Sequence, residues 1–437
     1  MSGATASAAA ATGAGGGPGA PLLQVEHLST HFPVRSGLFS RGSDLAVRAV
    51  DDVTFDIREG EVFGLVGESG SGKTTLGRSL LKLVQPTGGS IRYGGRDLVP
   101  LSEREMRPLR RELAFVFQDP NASLNPAMTI AQGVGHPLRI HGVTSNRAET
   151  RARVVDMLER VGLSPAEAFL DKYPEDVSGG QKQRLVIARA LITRPRFVVA
   201  DEPVAALDMS VRAKVLELLL DLQRDFGLTY LFITHDLATA KFLCDRIGIL
   251  YLGDLVEWGP SDLLFDDPAH PYTRALLDAI PDPDPRRRGR TKRLPTGEVP
   301  DALTPPAGCR FHPRCPEGFA PCGWEGRDVV ELLERRWGGE VDADAFEREL
   351  AATGPVDSIE VHDREVRFPQ GDAARLLPLV ETLRAEEAGR VFRAVTDVGR
   401  DGDTVVVRLG EGVEPALQPV AGRRVACHLH GVVPRDR

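Results

Sequence analysis

The sequence predicts an α/β fold, a mainly parallel sheet with a ligand site at the C-terminal ends of its strands. Three observations predict it. Gly67 to Thr75 reads G-E-S-G-S-G-K-T-T between an apolar run, Val62 to Val66, and a helically spaced run, Thr75 to Leu83. A second apolar run, Phe197 to Ala200, ends in the acidic pair Asp201-Glu202. A third, Thr229 to Ile233, ends at Thr234-His235-Asp236 after a helical stretch from Val211 to Phe226. Strands alternating with helices around a phosphate loop imply parallel pairing and a ligand at the strand C-termini.

Length and composition set the bounds. A chain of 437 residues is long enough for two or three domains. A formal charge of −8 disfavours a broadly basic nucleic-acid binder. No apolar run approaches the ~20 residues that span a bilayer. Residues 1–20, rich in Ala, Gly, Ser and Thr, lack the basic and apolar regions of a secretory signal and read as a disordered tail. Five cysteines in so long a chain do not suggest a disulfide scaffold, and a nucleotide site argues for the cytosol.

The elements follow in order. Leu22 to Thr30 reads as a strand with Phe32 just after it, and Arg35 to Asp44 as a polar loop. Val47 to Ile57 is a strand with Asp51-Asp52 at a turn, and Ser90 to Tyr93 with Gly94-Gly95 suggests a hairpin. Leu101 to Arg111 is a charged helical segment, and Ala114 to Phe117 is a short strand ending at Gln118. From Ser145 to Val161 a helical period places Val154, Leu158 and Val161 on one face. Ser178 opens the polar patch S-G-G-Q-K-Q-R before the helical run Leu185 to Thr193. A serine there caps a helix, and the glycines leave N–H groups open.

The residue types at Gly67, Gly72, Lys73 and Thr74 fit the pattern G-x-x-x-x-G-K-[ST]. Glycine allows the tight turn and close approach that a Cβ would block. Backbone N–H groups and a helix N-terminus then face an anion. Lys73 would reach the β and γ phosphates, and the Thr74 hydroxyl would coordinate Mg²⁺. Asp201, at the end of a buried strand, suits Mg²⁺ held through water, and Glu202 suits orienting or deprotonating an attacking water. His235 could contact a γ phosphate, although a lone histidine at such a place is more often a hydrogen-bonded surface residue.

The phosphate loop, Gln118, Ser178-Gly179-Gly180-Gln181, Asp201-Glu202, Asp208 and His235 occur in that order. With that set the chain resembles an ATP-binding cassette (ABC) ATPase over Leu22 to Ala279. Q-D-P-N-A-S-L-N-P (Gln118 to Pro126), H-P-Y-T-R-A-L-L (His270 to Leu277) and G-C-R-F-H-P-R-C-P (Gly308 to Pro316) make it similar to the ATPase subunits of oligopeptide/dipeptide (peptide/nickel) importers. V-R-A-V-D-D-V and L-G-R-S-L-L-K-L look closer to the second of the two paired ATPases in such importers.

The resemblance implies a cassette with a mixed sheet core at 21–280, a helical subdomain at about 119–180, and a C-terminal region at 281–437. It implies ATP held by Gly67, Glu68, Ser69, Gly70, Ser71, Gly72, Lys73, Thr74 and Thr75, with Phe32 stacked on adenine. Mg²⁺ would meet Thr74, Gln118 and Asp201. Catalysis would fall to Glu202 as base, with His235, Lys73 and Gln118. Ser178, Gly179, Gly180 and Gln181 would close on ATP held by an opposing subunit, and Asp208 would sit at the subunit interface. The implied partners are a second ABC ATPase, two permeases and, indirectly, a solute-binding protein, with no nucleic acid. The place would be the cytoplasmic side of the membrane, peripherally. Ala205 stands where the family often has serine, and Val177 where it usually has leucine before the signature. A soluble cassette ATPase of translation or DNA repair is the alternative. Such proteins usually carry two cassettes or a long insertion inside the cassette. A non-transport P-loop kinase would leave the Ser178 patch unexplained.

Pro281 to Pro306 is rich in Pro and Arg, with R-R-R-G-R-T-K-R at Arg286 to Arg293. It reads as a solvated linker, with anionic lipid heads as the sharper partner. Cys309, Cys315 and Cys322 cluster, and Cys427 follows far downstream. Four thiolates suit zinc or an iron–sulfur cluster, but the spacings are not the paired C-x-x-C of a zinc ribbon, and free thiols in a packed tail are the alternative. The resemblance to the peptide-importer branch implies a [4Fe–4S] cluster on these four. Cys244 reads as a core thiol. Gly326 to Gln418 reads as an extra α+β unit spliced between the third and fourth cysteines. Helices are expected at Val329 to Arg336, Ala343 to Ala352 and Ala374 to Ala388, and strands at Val391 to Val395 and Thr404 to Leu409.

Overall fold

The computed structural model describes residues 21–34, 45–280, 295, 297–386 and 390–431. The expected tail at 1–20, the loop at 35–44 and the arginine run at 286–293 lie outside them. The chain divides into two compact units: 1–29, 52–63 and 77–232 form one, and 30–51, 64–76 and 233–437 the other.

In the first unit an antiparallel sheet pairs the strand Pro21–Pro33 with Gly88–Tyr93, Leu23 opposite Tyr93 and Val25 opposite Ile91. Gly94 and Gly95, both at positive φ, turn Gly88–Tyr93 back onto Arg96–Asp97, the expected hairpin. The strand Phe197–Asp201 is buried along its whole length. The apolar run Phe197 to Ala200 suits a strand covered on both faces. It lies parallel to Leu113–Val116, with Leu113 level with Phe197 and Val116 level with Ala200.

Four of the longer helices in this unit have a legible start. Thr129 caps Ile130–Ile140 and Asn146 caps Arg147–Arg160, the latter burying Val154 and Leu158 as the spacing predicts. Ser178 caps Gly179–Leu191 as expected, so the helix takes in the polar patch as well as the run from Leu185. Asp208 caps Met209–Phe226, which ends on Gly227 in the left-handed conformation.

In the second unit Arg246–Tyr251 and Asp254–Pro260 form a hairpin, closed by Leu252 and Gly253 at φ 44° and 87°. Arg423–Val425 adds to its edge, Trp258 opposite Arg424, and Gln418–Val420 adds beyond that. This late strand brings the chain back after the long insertion and delivers Cys427. The insertion folds around its own core, with Val329, Leu332, Phe368, Val380, Leu383 and Val407 all buried. Helices Gly326–Arg335, Ala343–Thr353 and Ala373–Ala385 stand near their expected places. One expectation is corrected: Val391 to Ala394 belongs to a 3₁₀ turn, Arg390–Ala394, and the strand begins at Val395 and runs to Asp401. The hairpin of Glu360–His362 with Glu365–Phe368 was not expected, because its first strand is exposed and carries no apolar alternation. With Thr404–Leu409, which stands at its expected place, these strands make a four-stranded antiparallel sheet.

Candidate nucleotide site

The phosphate loop follows the buried strand Val62–Val66 and opens the helix Lys73–Leu80. The glycines are there for packing reasons. A Cβ on Gly67 would run into the Leu250 carbonyl, and one on Gly72, at φ 102°, into the Ala49 carbonyl. Gly70 has φ 79°, a conformation L side chains rarely adopt, with open space around it. The Ser71 carbonyl accepts from the Gly253 N–H at 2.9 Å, tying the loop to the hairpin turn. Lys73 is buried, and its ammonium donates to the Gly67 and Glu68 carbonyls, both at 2.8 Å, and to Ser71 Oγ at 3.3 Å. Thr74 and Thr75 fall in the first turn of the helix. Phe32, in the same unit, is exposed near the end of its strand.

In the first unit, parallel pairing sets Gln118 and Glu202 at matching ends of adjacent strands. Gln118 Nε2 donates to Glu202 Oε2 at 3.2 Å. Asp201 is buried, while Glu202 is half-buried and held at φ 45°. A non-glycine residue in that region costs roughly 1–3 kcal/mol, and such strain gathers at functional sites. Ser178 and Gln181 form a reciprocal cap: Ser178 Oγ accepts from the Gln181 N–H at 3.4 Å, and Gln181 Oε1 from the Ser178 N–H at 2.9 Å. A Cβ on Gly180 would meet Val211 Cγ1 at 2.8 Å, whereas around Gly179 the space is open. Lys182 donates to Asn121 Oδ1 at 2.9 Å, and Arg189 donates to the Ser123 carbonyl, so the signature helix holds the segment after Gln118. Asp208 accepts from the Val211 N–H at 3.1 Å and from Ser210 Oγ at 2.9 Å. The backbone bond, foremost, lowers its carboxyl pKa. His235 is exposed at the end of the strand Thr229–Thr234.

The four tail cysteines are buried free thiols. Burial, and then the nearby Cys322, Cys427 and Cys315, push the Cys309 thiol well above its ordinary value. Burial likewise pushes Cys315 and Cys427 up to about 12. Among the described residues, no group of three or more His, Cys, Asp or Glu side chains is arranged to hold a metal ion. The [4Fe–4S] expectation on these cysteines therefore finds no support in the geometry. Cys244 is buried beside Gly64, as a core thiol would be.

Three residues escaped the sequence reading. Tyr272, Arg310 and Arg314 all reach the phosphate loop or the turn beneath it. Their signal was the pair of arginines beside Cys309 and Cys315 and the tyrosine of H-P-Y-T, which carried a resemblance but no chemistry. His270 caps the helix Pro271–Ala279, its Nδ1 accepting from the Tyr272 N–H at 3.0 Å. Fully buried, its imidazole is pulled down to about 3.

A phosphate loop opening a helix, a buried strand ending in Asp201-Glu202 and a capped glycine pair at Ser178 define a P-loop ATPase of the cassette kind. Residues 50–205 match the ABC transporter family and residues 256–322 the oligopeptide/dipeptide transporter C-terminal region. The chain is 50% identical over 316 residues to the putative oligopeptide transport ATP-binding protein YkfD of Bacillus subtilis, covering 72% of this chain and 93% of that one. A putative peptide import ATP-binding protein of Brucella ovis is 49% identical over 318 residues, covering 73% and 96%. The glutathione import ATP-binding protein GsiA of Escherichia coli is 49% identical over 285 residues, covering 65% of this chain and 45% of its own. The chain belongs to the ABC transporter ATP-binding proteins, in their oligopeptide/dipeptide branch.

Proposed function

We propose that this chain is the ATP-hydrolysing subunit of a peptide-type importer, working with a second cassette and two permeases at the cytoplasmic face of a membrane. The observation that carries this is the joining of an ABC match at 50–205 to the oligopeptide/dipeptide C-terminal region at 256–322 in one polypeptide. Relatives named for oligopeptide, peptide and glutathione import support the substrate class. Among the described residues no helix is long and apolar enough to cross a membrane, so other chains would supply the pore.

The cassette is taken as 21–280 with a helical subdomain at about 119–180, and the C-terminal region as 281–437 with its insertion at about 326–418. Residues 67–75 hold the ATP phosphates, with Lys73 on the β and γ groups and Phe32 against adenine. Thr74, Asp201 and Gln118 would hold Mg²⁺, which would supply positive charge to the transferring phosphoryl. Glu202 takes the proton of the attacking water, and His235 contacts the γ phosphate. Lys73 and the loop N–H groups stabilise the charge that develops there. Ser178 to Gln181 close on ATP held by the opposing subunit, with Asp208 at the interface. Gly179 suits that role, since among the described residues no neighbour requires a glycine there. A cleft of about 170 Å³, lined by Phe115, Phe117, Ser123 and Pro137 among others, suits a permease segment beside the Gln118 stretch.

The iron–sulfur reading of Cys309, Cys315, Cys322 and Cys427 rests on the resemblance to the peptide-importer branch alone. Iron analysis and the visible spectrum of an anaerobic preparation test it, and colourless, iron-free protein removes it. For the main reading, tagged full-length chain is purified from its own cells. Co-purification of a permease and a second ATPase, with ATP turnover lost in Lys73→Ala, is the expected result. A chain that hydrolyses ATP alone at full speed, with Ser178 and Gly180 dispensable, overturns it.

A further inference from the structure

Glu68 is an odd residue for a polyphosphate cradle. Its carboxylate stands in the loop that must receive the most negative part of ATP. Two residues far along the chain deal with it. Arg314 Nη1 donates to Glu68 Oε2 at 2.9 Å and Nη2 to Oε1 at 3.2 Å, a two-pronged pair. The Glu68 backbone N–H donates to Tyr272 Oη at 3.0 Å. The Arg314 side chain is only 10% exposed and has little freedom. Its guanidinium lies over the rings of Tyr251 and Phe311, 5.8 and 6.0 Å from their centroids, and Nη1 also donates to Tyr251 Oη at 3.3 Å. Those rings pack edge-on at 5.3 Å, and Tyr272 lies 4.7 Å from Tyr251.

The same short stretch also holds the hairpin turn to which the loop is tied. Arg310 Nη1 donates to the Leu252 carbonyl, Nη2 pairs with Asp51, and Nε lies 3.3 Å from Asp254. Gly253, in that turn, donates to the Ser71 carbonyl. Arg310 and Arg314 are the chain neighbours of Cys309 and Cys315. Whatever moves the cysteine turn therefore moves the first half of the phosphate loop.

From this geometry we infer that Arg314 is a positioning residue for ATP: it neutralises and orients Glu68, so that nucleotide affinity depends on the cysteine-bearing turn. This rests on the reading of Gly67 to Thr75 as the ATP site. Without Arg314 a bare carboxylate would face the polyphosphate, and repulsion between like charges is strongest at low salt.

The test measures ATP affinity of the full chain by equilibrium binding at low and high salt, with melting temperature as the check on folding. Arg314→Ala is expected to weaken ATP binding roughly tenfold, the scale of one charged hydrogen-bonded pair, and more at low salt than at high. The maximal turnover should fall less than the affinity. Arg314→Lys should recover part of the loss. Adding Glu68→Gln to Arg314→Ala should recover most of it, which a packing role for Arg314 would not produce. Folded Arg314→Ala that binds ATP as the wild type does, or a double variant no better than Arg314→Ala, overturns the inference. Lys73→Ala is run alongside. If it too leaves binding untouched, the assignment of the loop to ATP has failed instead.

Discussion

Gln118 and Glu202, separated by 84 residues in the chain, meet through a 3.2 Å hydrogen bond from amide to carboxylate. The contact follows from register: with Val116 level with Ala200, the side chains two residues on emerge at the same edge of the parallel pair. It holds the assigned base on a backbone at φ 45°, where a non-glycine residue is strained. Glu202→Gln keeps a hydrogen-bonding side chain at that place and removes the proton acceptor. Turnover is expected to fall by about two to four orders of magnitude, the range for a general base, while ATP affinity holds. Steady-state phosphate release beside equilibrium ATP binding checks this. Unaltered turnover would remove Glu202 as the base.

The glycine pair of the signature offers a contrast that separates stability from chemistry. Gly180 lies against Val211, so Gly180→Ala must push Val211 Cγ1 aside and should cost about 1–3 kcal/mol of stability as an overpacked site. Gly179→Ala meets nothing and should leave the melting temperature near the wild type. Turnover of the assembled transporter should nonetheless drop in Gly179→Ala, since in the proposed dimer the methyl would face the opposing subunit's nucleotide. Denaturant melts of both variants, with turnover of the complex, decide between the two effects.

The legible parts of this molecule were those where one residue type has one physical use. The loop glycines, the apolar strand before Asp201-Glu202, and Ser178 as a helix cap each announce a backbone requirement. The structure meets each of them. What escaped was contact between distant segments. Arg314 reaches Glu68 across 246 residues, and nothing local in C-R-F-H-P-R-C says where its arginines point. Val391 failed for a different reason. An apolar β-branched residue suits a strand or a buried turn equally, and the backbone of Arg390–Ala394 curls to seat Val391 and Phe392 in the insertion core. Arg423–Val425, which restores Cys427 to the hairpin edge, is three residues long and charged at two of them.

Inside the insertion, Arg336 and Glu349 form a buried pair at 2.6 Å, with Trp337 Nε1 donating to the same carboxylate at 3.0 Å. Glu386 holds the other side of the guanidinium at 2.6 Å. Glu349→Gln removes a charge and leaves the arginine only partly compensated. A loss of about 3–5 kcal/mol is the scale for breaking a buried pair, with Glu386 keeping the effect toward the low end. The measure is a urea melt followed by Trp fluorescence, since Trp337 sits on the pair. An unshifted midpoint would mean the pair contributes nothing.

His270 gives stability a pH dependence whose sign can be worked out. Burial lowers its imidazole to about 3 in the folded chain, whereas an unfolded histidine titrates near 6.5. Between those values the unfolded chain binds a proton that the folded chain refuses, so stability falls as pH drops through that window. Above pH ~6.5 both states are neutral and the contribution is constant. The slope attributable to one such group is about 1.4 kcal/mol per pH unit. His270→Asn retains an oxygen that can cap the Tyr272 N–H and does not titrate. Its stability between pH 4 and 6 should therefore fall less steeply than the wild type's when both are melted in urea across that range. Parallel curves for the two proteins would assign the acid sensitivity to other groups and show that His270 is protonated without penalty.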